Sequence, residues 1–195
     1  RWTTGQIGTG TDTQALTANT ALVFPVFIDR PLRVMDVGIV VTAAKSDKSA
    51  MVALYEFDPA TSKLGKLVFS TEDLSVGDTG LVRARLTQES DGEGGWIDVP
   101  DQARDIFKAG WYAWAVVSDD APTVRLVSVP DIYGGLVKPA TTTLTAINHY
   151  SVALTTPIAS GYPADASDKT LTAVTSTSAF TKNQGVLALV KPLTV

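Results

Sequence analysis

The stretch Ala109-Gly110-Trp111-Tyr112-Ala113-Trp114-Ala115-Val116-Val117 constrains the fold more than any other part of the chain. Trp, Tyr and Val favour strands, and Gly110 punctuates the start of the run. Alternation puts Trp111, Ala113, Ala115 and Val117 on one face and Tyr112, Trp114 and Val116 on the other. Both faces are apolar, so both are expected to be covered, the alanines leaving room for bulky neighbours from a facing sheet. Shortness and the Gly and Pro flanks count against a helix. Asp119 and Asp120 can hydrogen-bond their own backbone and Pro122 fixes its φ, so a turn follows. The stretch reads as the central strand of an all-β domain.

The rest of the chain follows the same grammar. Residues 22–28 form a strand that Pro25, lacking an N–H, places at an edge or a bulge. Asp29-Arg30-Pro31 turns it into a second strand over 32–42, with Gly38 as an expected bulge. Residues 43–49 read as a polar hairpin loop. In the strand over 50–57, Met51, Ala53, Tyr55 and Phe57 share a face. Asp58-Pro59-Ala60-Thr61-Ser62-Lys63 turns the chain, and Leu67-Val68-Phe69 begins another strand. After Gly77-Asp78-Thr79-Gly80, Val82, Ala84 and Leu86 alternate with Arg83 and Arg85, the pattern of a half-exposed strand. A glycine-rich loop at 91–95 precedes a strand over 96–99, and 100–107 suggests one helical turn. Further strands are expected at 124–129, 146–154, 170–175 and 185–192, with a long surface loop over 155–169. Short strands at regular spacing with Gly and Pro turns argue for an antiparallel β-sandwich or barrel.

The domain plan is an extended arm or linker over 1–20, a β-sandwich core over 21–135, and a Thr-rich β extension over 136–195 that completes the same sandwich. The arm is rich in Thr, Gly and Gln. Its sharper reading is an arm that docks on a neighbouring subunit through Trp2. The chain begins at Arg1 rather than Met, which reads as a fragment or a processed product.

Composition excludes several functions. A net charge of −4 argues against broad nucleic-acid binding. The absence of cysteine rules out a disulfide scaffold, a thiolate metal site and a cysteine nucleophile. No apolar run is long enough to span a bilayer as a helix, so membrane insertion is not expected. His149 is the sole histidine, which leaves no basis for a zinc site. It would have to serve any Ser-His-Asp triad, yet nothing like a nucleophile elbow is present. Glu89, Asp91, Glu93 and Asp98 flank Trp96 and raise the question of glycoside hydrolysis, which needs two facing carboxyls. In a glycine-rich loop they read as solvated. No catalytic residue, metal site or cofactor is expected.

Three pieces together resemble a domain of phage tail-fibre and related virion fibre proteins. They are residues 24–42, ending Arg33-Val34-Met35-Asp36-Val37-Gly38-Ile39-Val40-Val41-Thr42; Ala53-Leu54-Tyr55-Glu56-Phe57-Asp58 with Leu64-Gly65-Lys66-Leu67-Val68; and Lys108-Ala109-Gly110-Trp111-Tyr112-Ala113-Trp114-Ala115-Val116 followed by Ala121-Pro122. The match covers roughly residues 20–130. Leu64 departs from the family's usual Pro, and residues 136–183 match none of its patterns. The resemblance implies a jelly-roll-like sandwich in a virion surface protein, a homo-oligomer with a trimer favoured. Its partners would be other virion proteins and a host cell-surface glycan, and its place the virion surface after assembly in the host cytoplasm.

The expected function is therefore a non-enzymatic, fibre- or spike-type virion domain that contributes to assembly and host attachment. One alternative is a capsid decoration, head or tail component without a host ligand. Another is a carbohydrate-binding module or glycan-active enzyme. Sugar binding would use exposed aromatics as stacking platforms, and Trp96, Tyr133, Tyr150 and Tyr162 are the candidates because they lie at loops or strand ends. Exposed aromatics suit protein contacts equally well.

Overall fold

The computed structural model describes residues 13–28, 32–85, 88–90, 96–98, 106–127, 150–154, 157–173, 183–184 and 187–192. The strand over 109–117 forms as expected: β11, Gly110–Ser118, lies between β2, Thr20–Ile28, and β4, Ser49–Asp58. A tight turn joins β4 to β5, Lys63–Ser70. Asp58 holds that turn, accepting from the Ala60 amide at 2.9 Å and the Thr61 hydroxyl at 2.6 Å. These bonds favour its ionised form and keep its pKa below the usual carboxylate value. The two-residue strand β6, Leu74–Ser75, also pairs with β4.

The second sheet is built on β3, Leu32–Ala43. Along one side of β3 run β12, Thr123–Val127, and the C-terminal strand β16, Leu187–Pro192. Along the other run β7, Gly80–Arg85, and β10, Ile106–Phe107. Beyond β12 lies β1, Thr13–Ala15, and the short β15, Asn183–Gln184, also joins β12.

The strand order β1-β12-β3-β7 in one sheet and β2-β11-β4-β5 in the other, antiparallel throughout, is that of a jelly roll. Within this frame the chain passes from sheet to sheet at β1–β2, β2–β3, β3–β4, β6–β7, β10–β11 and β11–β12. The frame is extended by β6 and β10 and, from the C-terminal third, by β15 and β16. β13, Tyr150–Ala153, extends the second of these sheets beside β2, and β14, Thr172–Ala173, pairs with β13. A separate ladder joins β8, Gln88–Ser90, to β9, Trp96–Asp98.

Several expectations change. The loop over 44–48 is not a hairpin, because β3 and β4 belong to different sheets and the chain crosses between them. The end of the expected arm, residues 13–20, lies against the sandwich: β1 pairs with β12, Leu16 is buried, and its amide donates to the Pro122 carbonyl at 2.9 Å. Residues 1–12 lie outside the described residues. Pro25 sits in an interior strand opposite Ala113, and the β13 ladder on the other side of β2 runs from Thr20 to Val23. Gly38 is not a bulge, since Leu187 and Arg83 pair with it in register. A Cβ there would collide with the Val82 carbonyl oxygen, so the glycine admits the close approach of β7. Residues 106–107 are a strand rather than part of a helical turn, and 99–105 lie outside the described residues.

The core has two layers. Leu22, Phe24, Leu54, Trp114 and Val116 meet Val37, Ile39, Val41 and Val124 between the sheets. Phe69 and Trp114 pack edge to face there, ring centroids 5.7 Å apart. The opposite face of β2-β11-β4 carries Ala21, Val23, Met51, Ala53, Tyr55, Ala113, Ala115 and Val117, and it is buried too. As expected, Met51, Ala53, Tyr55 and Phe57 share one side. What covers them is not a sheet but Leu154, Tyr162, Ala166 and Leu171 of the segment that follows β13. The surface loop expected over 155–169 is thus a strap, and it includes the one described helix, α1, Pro157–Ser160.

Candidate functional site

The strap is held at three places. At its start the Leu154 amide donates to the Asn19 carbonyl at 2.9 Å. At its far point it pairs with β5: the Leu67 amide donates to Ala164 at 2.9 Å and the Ala166 amide to Gly65 at 3.1 Å. Lys66 and Asp165 face each other across this antiparallel bridge. The strap therefore crosses the sheet from its β13 edge to its β5 edge. Between these points Tyr162 enters the sheet face. Gly161, with φ +77°, turns the chain out of α1 in a backbone conformation natural to glycine and places the ring.

Tyr162 is only 7% exposed. Its hydroxyl lies 3.1 Å from the Ala115 carbonyl and 3.2 Å from the Met51 carbonyl, one proton serving both acceptors. The Tyr55 ring meets it edge to face at 6.0 Å, and the Tyr55 hydroxyl donates to the Pro163 carbonyl at 2.7 Å. Burial pushes the Tyr162 phenol well above its ordinary pKa, with Tyr55 adding to the effect, and burial raises Tyr55 as well. The crevice left between strap and sheet, lined by Ala21, Tyr55, Ala115, Val152 and Tyr162 among others, is too tight for a water molecule. This is a packing joint and not a ligand pocket.

An exposed apolar feature lies on the same face at the far end of the strands. Phe27 is 40% exposed and pairs across β2 and β11 with half-buried Trp111, ring centroids 5.2 Å apart and planes tilted by 52°. Lys108, exposed just before β11, accepts a hydrogen bond at 3.0 Å from the Tyr112 hydroxyl through its carbonyl, which fixes the approach of the chain to this pair. The tilt makes the pair a wedge rather than a flat stacking platform. Leu81 of β7, on the other sheet, is the second large exposed apolar side chain among the described residues.

The sequence candidates fall elsewhere. Tyr162 is inside the protein and offers no ring face to a sugar, because its ring fills the alanine-lined face and its hydroxyl satisfies sheet carbonyls. Tyr150 begins β13, in register with Val23 and Ala173. Trp96 begins β9 opposite Ser90. Tyr133, His149, Asp91 and Glu93 lie outside the described residues. Glu89 stands opposite Ile97 in the β8–β9 ladder, and Asp98 opposite Gln88. Among the described residues no group of His, Cys, Asp or Glu is placed to hold a metal ion. Phe27 escaped the sequence reading because residues 22–28 are apolar on both faces. A scan against protein-family models finds no match, and a search of the curated proteins finds no relative.

Proposed function

We propose that this chain is a non-catalytic domain of a virion surface protein, fibre- or spike-like, that assembles with copies of itself and contributes to host-surface attachment. The observation that carries the reading is where the three fibre-like segments fall. They supply β3 of one sheet and parts of β2, β11, β4 and β5 of the other. A jelly roll of this kind is a rigid body whose loops and edges are free for contacts, and function on such a fold lies in the grafted surface rather than in the frame. The exposed wedge of Phe27 and Trp111 is the adhesive contact of this proposal. A weak site of that size becomes useful when several copies engage one surface at once.

Light scattering on the purified chain tests assembly, with a trimer as the expected mass. Labelled protein applied to a panel of bacterial cells tests attachment, with saturable binding to one host type expected. An assembled chain indifferent to every cell type would replace attachment with a purely architectural role in the particle. Steady turnover of a capsular polysaccharide would overturn the non-catalytic reading.

A further inference from the structure

Tyr162 fills a seat whose walls belong to other elements. Ala21 of β2, Ala115 of β11, Val152 of β13 and Tyr55 of β4 line it, and the fit leaves no room for water. The polar end of the seat is set by the β4–β11 ladder. The Val52 amide donates to the Thr71 hydroxyl at 3.0 Å, and the Val52 carbonyl accepts from the Thr71 amide at 2.8 Å. The neighbours Met51 and Ala53 therefore turn their amides and carbonyls the other way, toward Val117 and Ala115, with which they are in register. The Met51 and Ala115 carbonyls thus each hold a ladder bond, and the Tyr162 hydroxyl takes their second lone pairs at 3.2 Å and 3.1 Å. Both groups are acceptors, so an oxygen at this point must bring a proton. A methyl ether or a phenolate there would set lone pairs against lone pairs away from water, which is costly.

We propose that this seat is a binding site selective for neutral phenols, filled in the resting protein by the chain's own Tyr162. Its small apolar walls fix the size of the guest at one aromatic ring. The Tyr55 ring, edge to face with Tyr162 at 6.0 Å, favours an aromatic guest over an aliphatic one. The paired carbonyls demand a donor at the far end of that ring. The raised pKa of Tyr162 has the same sense, since the seat holds its phenol protonated. The tether gives Tyr162 an effective concentration that a dissolved phenol does not match. A free phenol therefore enters only when the tyrosine has left. The inference is independent of the assembly and attachment proposed above.

Tyr162→Ala in the full chain empties the seat and leaves its walls in place. The tyrosine side chain as a free molecule, p-cresol, is titrated into this variant and into the wild-type chain, with toluene and 4-methylanisole in parallel. The expected result by calorimetry is saturable binding of p-cresol to the variant, about tenfold tighter than toluene, and no measurable binding of 4-methylanisole. The urea midpoint of the variant rises with p-cresol and that of the wild-type chain does not. Protection of the Leu67 and Ala166 amides returns as well, because the strap closes over a filled seat. If Tyr162→Ala alone is unfolded, refolding in p-cresol against refolding in toluene reads the same selectivity. Equal action of toluene and p-cresol overturns the proposal, because the carbonyls then select nothing. A variant that neither binds p-cresol nor refolds in it overturns the proposal too, as does equal binding of p-cresol by the wild-type chain, which would place the phenol elsewhere.

Discussion

The two faces of the sheet β2-β11-β4 are both buried, but by different means. Toward the partner sheet they carry Leu22, Phe24, Leu54, Trp114 and Val116, large side chains that reach across to Val37, Ile39 and Val41. Toward the strap they carry Ala21, Ala53, Ala113 and Ala115 beside Val23 and Val117. Packed sheets stand about 10 Å apart, and only large side chains from both fill that gap. A single irregular chain has few side chains to give, so it must lie close, and alanines let it. Its own backbone then needs hydrogen bonds away from any ladder of its own. Tyr55 supplies one to Pro163, and Tyr162 returns the favour to the sheet at Met51 and Ala115.

The inner layer should therefore fail globally and the outer layer locally. Trp114 is 4% exposed and packs on Phe69. Trp114→Ala is expected to cost about 4 kcal/mol, read as a lower urea midpoint for the whole domain. Tyr162→Ala is expected to cost about 3 kcal/mol and to act first on the strap. Its signature is rapid hydrogen exchange at the Leu67 and Ala166 amides, which bond strap to β5, while the amides of β11 stay protected. Equal loss of protection in β11 would show that strap and jelly roll form one cooperative unit.

This difference was only half legible in the sequence. The alternation of β11 and β4 told correctly which side chains share a face, and that both faces are buried, because a period of two in apolar residues has one geometric meaning. It did not tell what covers each face. Ala113 and Ala115 signal a close neighbour without naming a strap, and the strap itself has the composition of a surface loop, with Pro157, Gly161, Pro163, Asp165 and Asp168. Tyr162 stands among them without periodicity, so an aromatic in a polar loop reads as exposed when it is a peg. The loop over 44–48 failed for a related reason. A polar run ends a strand equally well whether the next strand pairs with it or crosses to the other sheet. Asp119 shows the same limit on a smaller scale: instead of bonding only its own turn it accepts from the Ser49 amide at 3.0 Å, a partner far away in sequence. Gly38 marked a special position, but its cause is a neighbouring strand's carbonyl, which no local pattern records.

The outer layer also holds two tyrosines that make the fold sensitive to alkali. Tyr55 and Tyr162 are held neutral above the ordinary tyrosine pKa of 10.0. Below that value both are protonated in folded and unfolded chains alike, and stability does not depend on them. Above it the unfolded chain gives up protons that the folded chain retains, so the folded state binds more and stability falls as pH rises. One fully retained proton gives a slope of about 1.4 kcal/mol per pH unit. Urea titrations between pH 9 and pH 11, about the ordinary tyrosine range, should show the fall, and Tyr162→Phe should make it shallower. A slope unchanged by that substitution would assign the alkaline loss to other groups.

The smallest effect on stability belongs where the outer face runs out of cover. Phe27 is 40% exposed and its ring packs against Trp111. Phe27→Ser gives up the contact with Trp111 and is expected to cost about 1–2 kcal/mol, with the domain still folded and the oligomer mass unchanged. If the Phe27–Trp111 wedge is the adhesive contact, the same variant loses cell binding severalfold, and more so when several copies must engage together. Full binding by Phe27→Ser would move the contact away from this end of the sheet. A large loss of stability would mean that the ring is covered in the assembled protein, making the far end of the outer face an interface between copies rather than a surface for the host.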